Sequence, residues 1–452
     1  MSEPFDQGGG VLAGSSSHKT GVWKERRLTA IDTARQVRPP KAALKVLFAN
    51  KFFYLKGGAE AVMFDEIDLM KKHAVDVVEF SMCDPRNRPS KYGSYFVSLK
   101  DYRSTSRVAR LRSALSFINS REAADKISSL IRNEKPDIMH CHNVYHQLTP
   151  SIINAASRIK IPIVLTLHDY KLVCPVYTRL SNGQVCTKCS DGHYEALLVQ
   201  RCADGSIGRS VLLWGEARFH AAAGSYQRVD KFIAPSRFMR DAVVPRLGED
   251  KVVYIPNGVD TSRIEVSGQD DGFVLYLGRL SPEKGVETLL RAHAGDNAAW
   301  RLVVAGAGPL LGNLQSRFPL AEFTGHLTGE ALEARLRDAS MVVVPSEWHE
   351  NNPLSILEAM AHAKPIVASH IGGIPELVSH GKTGLLFEPK NAQQLSSQIK
   401  LLLSDSDLRR KFGREARRIA ETEYSLERHG AALLSLYQSL AAPSGAVHQL
   451  GP

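Results

Sequence analysis

The sequence predicts an α/β protein of two facing, doubly wound parallel sheets, from its length, its alternation of apolar runs with helical patterns, and a break near the middle. At 452 residues the chain exceeds what one hydrophobic core usually serves, so two large domains are expected. The runs KVLFAN, VDVVEFSM, DIMHCHN, PIVLTLHD and KFIAPS come first, then FVLYLGRL, RLVVAGAG, MVVVPS, PIVAS and TGLLFEP. Strand-length apolar runs separated by helical segments imply parallel strands covered by helices. Between the two sets, Pro256, Asn257 and Gly258 and the GQDDG cluster at 268–272 have turn chemistry and set the boundary within 233–272. The reading is therefore a disordered arm over 1–41, an N-terminal domain over 42–232 with a cysteine-rich insert at about 174–202, a C-terminal domain over 233–415, and a helix over 416–442 packing across both.

Composition narrows the class. A hydrophobic fraction of 43% with 23% charged residues is that of a globular protein, and no stretch approaches the roughly 20 apolar residues that span a bilayer. The Gly/Ser-rich opening lacks a basic region followed by an apolar run, so no secretory signal is read and a cytoplasmic location is expected. The formal charge of +10 suits anionic partners, whether nucleotides, lipid phosphates or an acidic membrane. Nucleic acid is set aside, because no helix-turn-helix, zinc-finger or aromatic RNA-binding signature accompanies the charge.

The most informative segment is VVVPSEWHENNPLSILEAMAHAKPIVASHIGGIPELV, which reads strand, loop, helix, strand, loop. Asn352 is expected to cap the helix and Pro353 to take its first position, with the positive end aimed into the loop. The free amides over Asn351, Asn352, Leu354 and Ser355 would then suit a phosphate. Glu350 falls on the loop and Glu358 about a turn and a half into the helix. A carboxylate accepts two neighbouring hydroxyls well, which is what a hexose and a ribose both present; the plainer alternative is an acidic helix start favoured by the dipole. Arg279 and Lys284 place two cations on the loop after an apolar strand, suited to a diphosphate. Gly57 and Gly58 open the way for backbone amides at the start of a helix over 59–72, and His168 closes the strand PIVLTLHD.

These motifs together resemble the family-4 (group 1) retaining glycosyltransferases of GT-B fold, over about residues 43–440. The matches are the E-x7-E pair Glu350 and Glu358, KGGAE at 56–60, LHD at 167–169, PNGVD at 256–260, GRLSPEKG at 278–285 and GAGP at 306–309. The resemblance implies an acceptor-side N-terminal domain, a nucleotide-sugar-binding C-terminal domain, and transfer with retained anomeric configuration. It assigns the diphosphate to Arg279 and Lys284 and a contact with the donor sugar to His168. It implies no divalent ion, since positive side chains replace it. Asp405 and Asp407 form a D-x-D, but between helical segments it reads as a helix cap. One departure stands out: many members have E-G-F/L/Y where this chain has Glu350, Asn351 and Asn352, so the donor nucleotide is left open.

The acceptor is expected to be a saccharide or lipid-linked saccharide of exopolysaccharide or lipopolysaccharide assembly. A basic amphipathic segment at 104–121, with Val108, Leu111, Leu115 and Ile118 on one stripe and Arg107, Arg110, Arg112 and Arg121 around it, suits an anionic membrane surface or, equally, a packed helix with a solvated rim. Cys174, Cys186, Cys189 and Cys202 lie within 29 residues and suggest a structural zinc loop. Reduced structural thiols and a redox pair are the alternatives. The competing functions are a sugar-nucleotide epimerase or hydrolase of the same fold and a non-catalytic saccharide or nucleotide-sugar binder. A nicotinamide dehydrogenase is excluded because Gly306, Gly308 and Gly312 miss the G-x-G-x-x-G spacing by one residue.

Overall fold

The computed structural model describes residues 43–99, 115–266 and 270–442. Lys45–Ala49 (β1), Asp76–Phe80 (β2), Ile138–Cys141 (β3) and Ile163–Thr166 (β4) begin the first sheet. A small antiparallel hairpin follows, Leu180–Ser181 (β5) with Gln184–Val185 (β6), and Lys231–Ala234 (β7) and Val252–Tyr254 (β8) complete the sheet in the order β2-β1-β3-β4-β7-β8. Every pairing in it is parallel. The second sheet comprises Phe273–Leu277 (β9), Arg301–Ala305 (β10), Glu322–Gly325 (β11), Met341–Val344 (β12), Ile366–Ser369 (β13) and Gly384–Phe387 (β14). Its order is β11-β10-β9-β12-β13-β14, again all parallel.

Both sheets are buried on two faces. In β9, Val274 and Tyr276 enter one apolar cluster while Phe273 and Leu275 enter another, and β10 divides Leu302 and Val304 from Val303 and Ala305 in the same way. This period of two lets an uninterrupted apolar run pack against helices above and below. Those helices include Gly58–Lys72, Arg121–Glu134 and Ser151–Ile159 around the first sheet, and Val286–Gly295, Leu354–Ala361 and Ala392–Ser404 around the second.

The first sheet runs further than the boundary at 232/233, because β7 and β8 pair with it and carry it to Tyr254. VVYIPNG reads as a turn by its Pro, Asn and Gly, yet its first three residues form an edge strand. The C-terminal segment is also two helices where the sequence reads one. Ser406–Glu423 contributes Ala416 and Ala420 to the second domain's core, whereas Leu426–Ala441 contributes Leu433 and Tyr437 to the first domain's core. The break falls at Tyr424 and Ser425, where Val259 N–H donates to Tyr424 C=O and Leu426 N–H to Val259 C=O. Ser425 then caps the last helix by accepting from the Arg428 amide, and Asp405 caps its predecessor by accepting from the Leu408 amide at 2.8 Å.

The arm at 1–41 lies outside the described residues, as do Arg107, Val108, Arg110, Leu111 and Arg112 of the basic stripe; Leu115 is exposed and Ile118 partly buried. Among the described residues no helix is long and apolar enough to cross a membrane.

Candidate active site

Strand order alone locates the cleft. In a doubly wound sheet the crevice lies beyond the carboxyl ends of the strands, where successive connections diverge to opposite sides. That point falls between β1 and β3 in the first sheet and between β9 and β12 in the second. The loops leaving these strands carry the predicted residues: Gly57 and Gly58 after β1, Arg279 and Lys284 after β9, and Glu350, Asn351 and Asn352 after β12. His168 follows the end of β4.

The two domains bring these loops together. A Cβ added to Gly58 would stand 3.5 Å from Leu354 Cδ1, so the starts of helices Gly58–Lys72 and Leu354–Ala361 face one another. Helix Leu354–Ala361 begins one residue later than expected: Pro353 is its cap residue and no side chain caps it. Asn352 is not the cap: Pro353 has a helix-compatible φ of −69°, but its ψ of 123° makes it extended and passes the helix start to Leu354. The amides of Leu354 and Ser355 belong to a first turn, which has no intrahelical acceptor for them.

Lys284 and Glu350 meet directly, with Nζ to Oε1 at 2.7 Å, and Ser346 Oγ donates to the same oxygen at 2.6 Å. Burial pushes the Glu350 carboxyl up, but the Lys284 ammonium and the hydrogen bonds from Lys284 and Ser346 outweigh it and hold the group below its usual value. This geometry depends on Gly285, whose φ is +66° and where a Cβ would fall 1.8 Å from Pro345 C=O. No other residue fits there, so the cation loop lies against the end of β12. Arg279 is exposed, and no carboxylate pairs with it among the described residues. Glu358, partly exposed, has its carboxyl pushed up to about 7 by burial and then by the neighbouring Asp65.

The two asparagines that depart from the family pattern join the domains. Asn351 Nδ2 donates to Leu167 C=O at 2.7 Å, next to His168, and Ser236 Oγ donates to Asn351 Oδ1 at 2.7 Å. Asn257 Nδ2 donates to Asn352 C=O at 3.0 Å. Both asparagines are buried, and Asn352 Oδ1 has no hydrogen-bond partner among the described residues.

Behind His168 runs a buried polar chain. His168 Nε2 lies 2.8 Å from His142 Nδ1, and His142 Nε2 lies 3.3 Å from Glu66 Oε2, an electrostatic contact outside hydrogen-bond geometry. Glu66 Oε1 accepts from His429 Nε2 at 3.1 Å, and His429 Nδ1 stands 2.7 Å from Pro256 C=O in the linker. Burial opposes charge on both groups, yet their neighbours prevail: His142 and then His140, with the hydrogen bond from His429 after them, hold Glu66 well below the carboxylate range, and Glu66 in turn raises His429. His168 is pushed down to about 3, by burial first and by His142 second, so its ring is neutral at neutral pH. Glu66, His140 and His142 also place ligand atoms within 4.8 Å of one another. They do not fit a metal, because both His140 nitrogens are engaged, Nδ1 with Tyr437 OH at 2.6 Å and Nε2 with Thr166 Oγ1 at 2.8 Å.

Sequence reading did not select Glu66, His142 or His429. His142 follows β3 as His168 follows β4, so strand-end logic reaches it. Glu66 and His429 carry no local signal, since they are brought together from positions 363 apart.

Two parallel-sheet domains joined by a crossing C-terminal pair of helices, with loops from both switch points over one polar cleft, define the GT-B architecture. Residues 56–263 match the family model described as Glycosyltransferase Family 4, and residues 260–419 match Glycosyl transferases group 1. The chain belongs to this family of glycosyltransferases. It is 27% identical over 342 residues to a sulfoquinovosyl transferase of Arabidopsis thaliana, covering 72% of this chain and 62% of that one. The alignments span 47% to 62% of the length of the first curated relatives. Among solved structures, sucrose-phosphate synthase of Thermosynechococcus elongatus superposes with a TM-score of 0.65 at 17% identity, covering 88% of this chain and 99% of that one. Anabaena HepE in complex with UDP-glucose superposes with a TM-score of 0.63 at 19% identity, covering 88% and 100%. At these identities both matches speak to the fold.

Proposed function

We propose that this chain is a retaining, metal-independent hexosyltransferase that moves a sugar from a nucleoside-diphosphate sugar to a hydroxyl of a saccharide or lipid-linked saccharide. Its place would be exopolysaccharide or lipopolysaccharide assembly, in the cytoplasm or on the inner face of the membrane. The observation that carries the reading is the convergence of Arg279, the Lys284–Glu350 pair and the start of helix Leu354–Ala361 at one switch point, opposite His168 and Gly58 from the other domain.

In this reading Glu358 accepts the ribose hydroxyls and the amides of Leu354 and Ser355 face the diphosphate. The bond between the sugar's anomeric carbon and the diphosphate oxygen breaks, and its electron pair leaves with the nucleoside diphosphate. Arg279 and Lys284 stabilise the charge that grows there, the kind of preorganised stabilisation that usually contributes most to rate. The acceptor oxygen attacks the same face and its proton passes to the departing phosphate oxygen, so configuration is retained without a protein nucleophile. Lys284 also holds Glu350 ionised toward the sugar hydroxyls. The Glu66 carboxylate favours a proton on His142 Nε2, which makes His142 Nδ1 an acceptor and His168 Nε2–H its donor. His168 Nδ1 then carries a lone pair for a sugar hydroxyl. That the HepE complex holds UDP-glucose and that the curated relatives are named for sugar transfer support this reading.

The test is acceptor-dependent release of nucleoside diphosphate, with the product's anomeric configuration read by NMR. Retention in the product supports the assignment; inversion contradicts it. Release without acceptor would indicate a hydrolase, and binding without release a non-catalytic binder.

A further inference from the structure

We infer that the insert after β4 is held by one thiolate-bound zinc-type ion, with Cys174, Cys186, Cys189 and Cys202 as its ligands, and that this centre fixes one wall of the cleft. The four cysteines are far from consecutive, yet all line one cavity of about 10 Å³, the space of a single water-sized guest. The remaining lining is apolar except for Gln200: Val173, Val176, Leu180 and Leu197 among others. Such a void offers a water few partners, whereas four sulfurs suit a soft, tetrahedral divalent ion. None of the four is in a disulfide. Gln200 Oε1 lies 3.9 Å from Cys186 Sγ and 3.8 Å from Cys202 Sγ, between two of the thiols.

Cys174, Val176 and Leu197 of the insert reach the first domain's core, but its regular structure is slight. Its ordered parts are the β5–β6 ladder of two residues a side and the five-residue helix Glu195–Val199. A two-stranded ribbon of this size is marginal without a staple. No three of the sulfurs lie within 4.8 Å of one another, while tetrahedral zinc thiolate sets them about 3.8 Å apart. Binding therefore draws the sulfurs inward, by χ1 rotations that each move a sulfur by about 3 Å and by closure of the loop.

What the staple would position reaches across the cleft. Lys390 Nζ of the second domain donates to Gly183 C=O in the β5–β6 turn at 2.9 Å. The Arg179 guanidinium lies 5.2 Å from the Tyr170 ring, which in turn meets the His349 ring of the second domain edge-on, centroids 6.4 Å apart. The metal is thus tied to the shape of the cleft and takes no part in the transfer itself.

The test is elemental analysis of the full chain, purified without an affinity tag that binds metal. One zinc per chain is expected, kept in Cys83→Ser and reduced at least fivefold in Cys189→Ser and Cys202→Ser. Should those variants fail to fold, the wild-type protein exchanged into Co²⁺ gives a second readout: the intense ligand-field and sulfur-to-metal bands of tetrahedral thiolate. A folded, metal-free protein with no such bands overturns the assignment, as does a disulfide between any two of the four or full zinc retention in Cys202→Ser. Donor binding measured alongside separates this result from the transferase reading, which stands or falls without it.

Discussion

Glu350 and Glu358 are the two ends of one short motif, yet their surroundings drive their carboxyls in opposite directions. Burial raises both, and Lys284 reverses the effect at Glu350 alone, whereas Asp65 adds to it at Glu358. Pairs of carboxyls separated in this way usually have separate roles. If Glu358 accepts ribose hydroxyls as a carboxylate, donor binding must remove its proton. Affinity for the nucleotide sugar, whose diphosphate does not titrate near neutrality, is expected to strengthen as pH rises through about 7, by nearly tenfold per unit below that point. Titration calorimetry across pH 6 to 8 checks it (on the order of one unit either side); Glu358→Gln should flatten the profile, and a flat wild-type profile contradicts the role. Lys284→Ala is expected to lower kcat by about 10²- to 10³-fold with a smaller change in donor Kd, measured by steady-state kinetics beside direct binding. These residues were legible because they are charged and sit on loops after apolar strands. Glu66 was not, since a single Glu within a helix reads as solvated surface until the fold buries it at 1% exposure among histidines.

At the scale of elements, ten strands were legible as apolar runs: eight are inner strands, which a parallel sheet buries on both faces, and two, β2 and β14, are edges whose runs stay apolar. Of the twelve strands in the two large sheets, the two missed, β8 and β11, are edges; the short hairpin strands β5 and β6 were missed as well. β11 reads EFTG, with one large apolar residue, because an edge needs less apolar covering. The crossing segment is a single helical pattern in sequence, and only the linker's pairing with Tyr424 and Leu426 shows where it breaks. The loop after β12 gives the clearest case of a local departure with a tertiary cause. Glycine at position 351 would meet the family pattern but forfeit the bonds to Leu167 and Ser236. Asn351→Gly is expected to cost about 1–3 kcal/mol, read as a lower denaturation midpoint at unchanged m value. An unchanged midpoint would mean that the cross-cleft bonds contribute nothing.

Across the whole molecule, His429 connects the last helix, the interdomain linker and the first helix through Pro256 and Glu66. His429 is raised from 6.5, so its contribution is fully present below that value and is lost as pH rises through the folded value; Glu66 is lowered from 4.5, so its contribution is present above that value and lost only as pH falls through the folded one. The pair therefore contributes most between about 4.5 and 6.5. The melting-temperature difference between wild type and His429→Gln should shrink as pH rises above this window, and a difference independent of pH would contradict the ion pair. The central claim, that the cleft between the strand ends holds a nucleoside-diphosphate sugar through Arg279, Lys284 and Glu358, is tested most directly by thermal unfolding with UDP-, GDP-, ADP- and CMP-sugars. A ligand at 100 times its Kd adds about 2.7 kcal/mol, so one donor class should raise the melting temperature by on the order of 5 °C, and the Arg279→Ala, Lys284→Ala double variant should lose most of that rise. No shift with any donor, or a full shift in the double variant, would contradict the account.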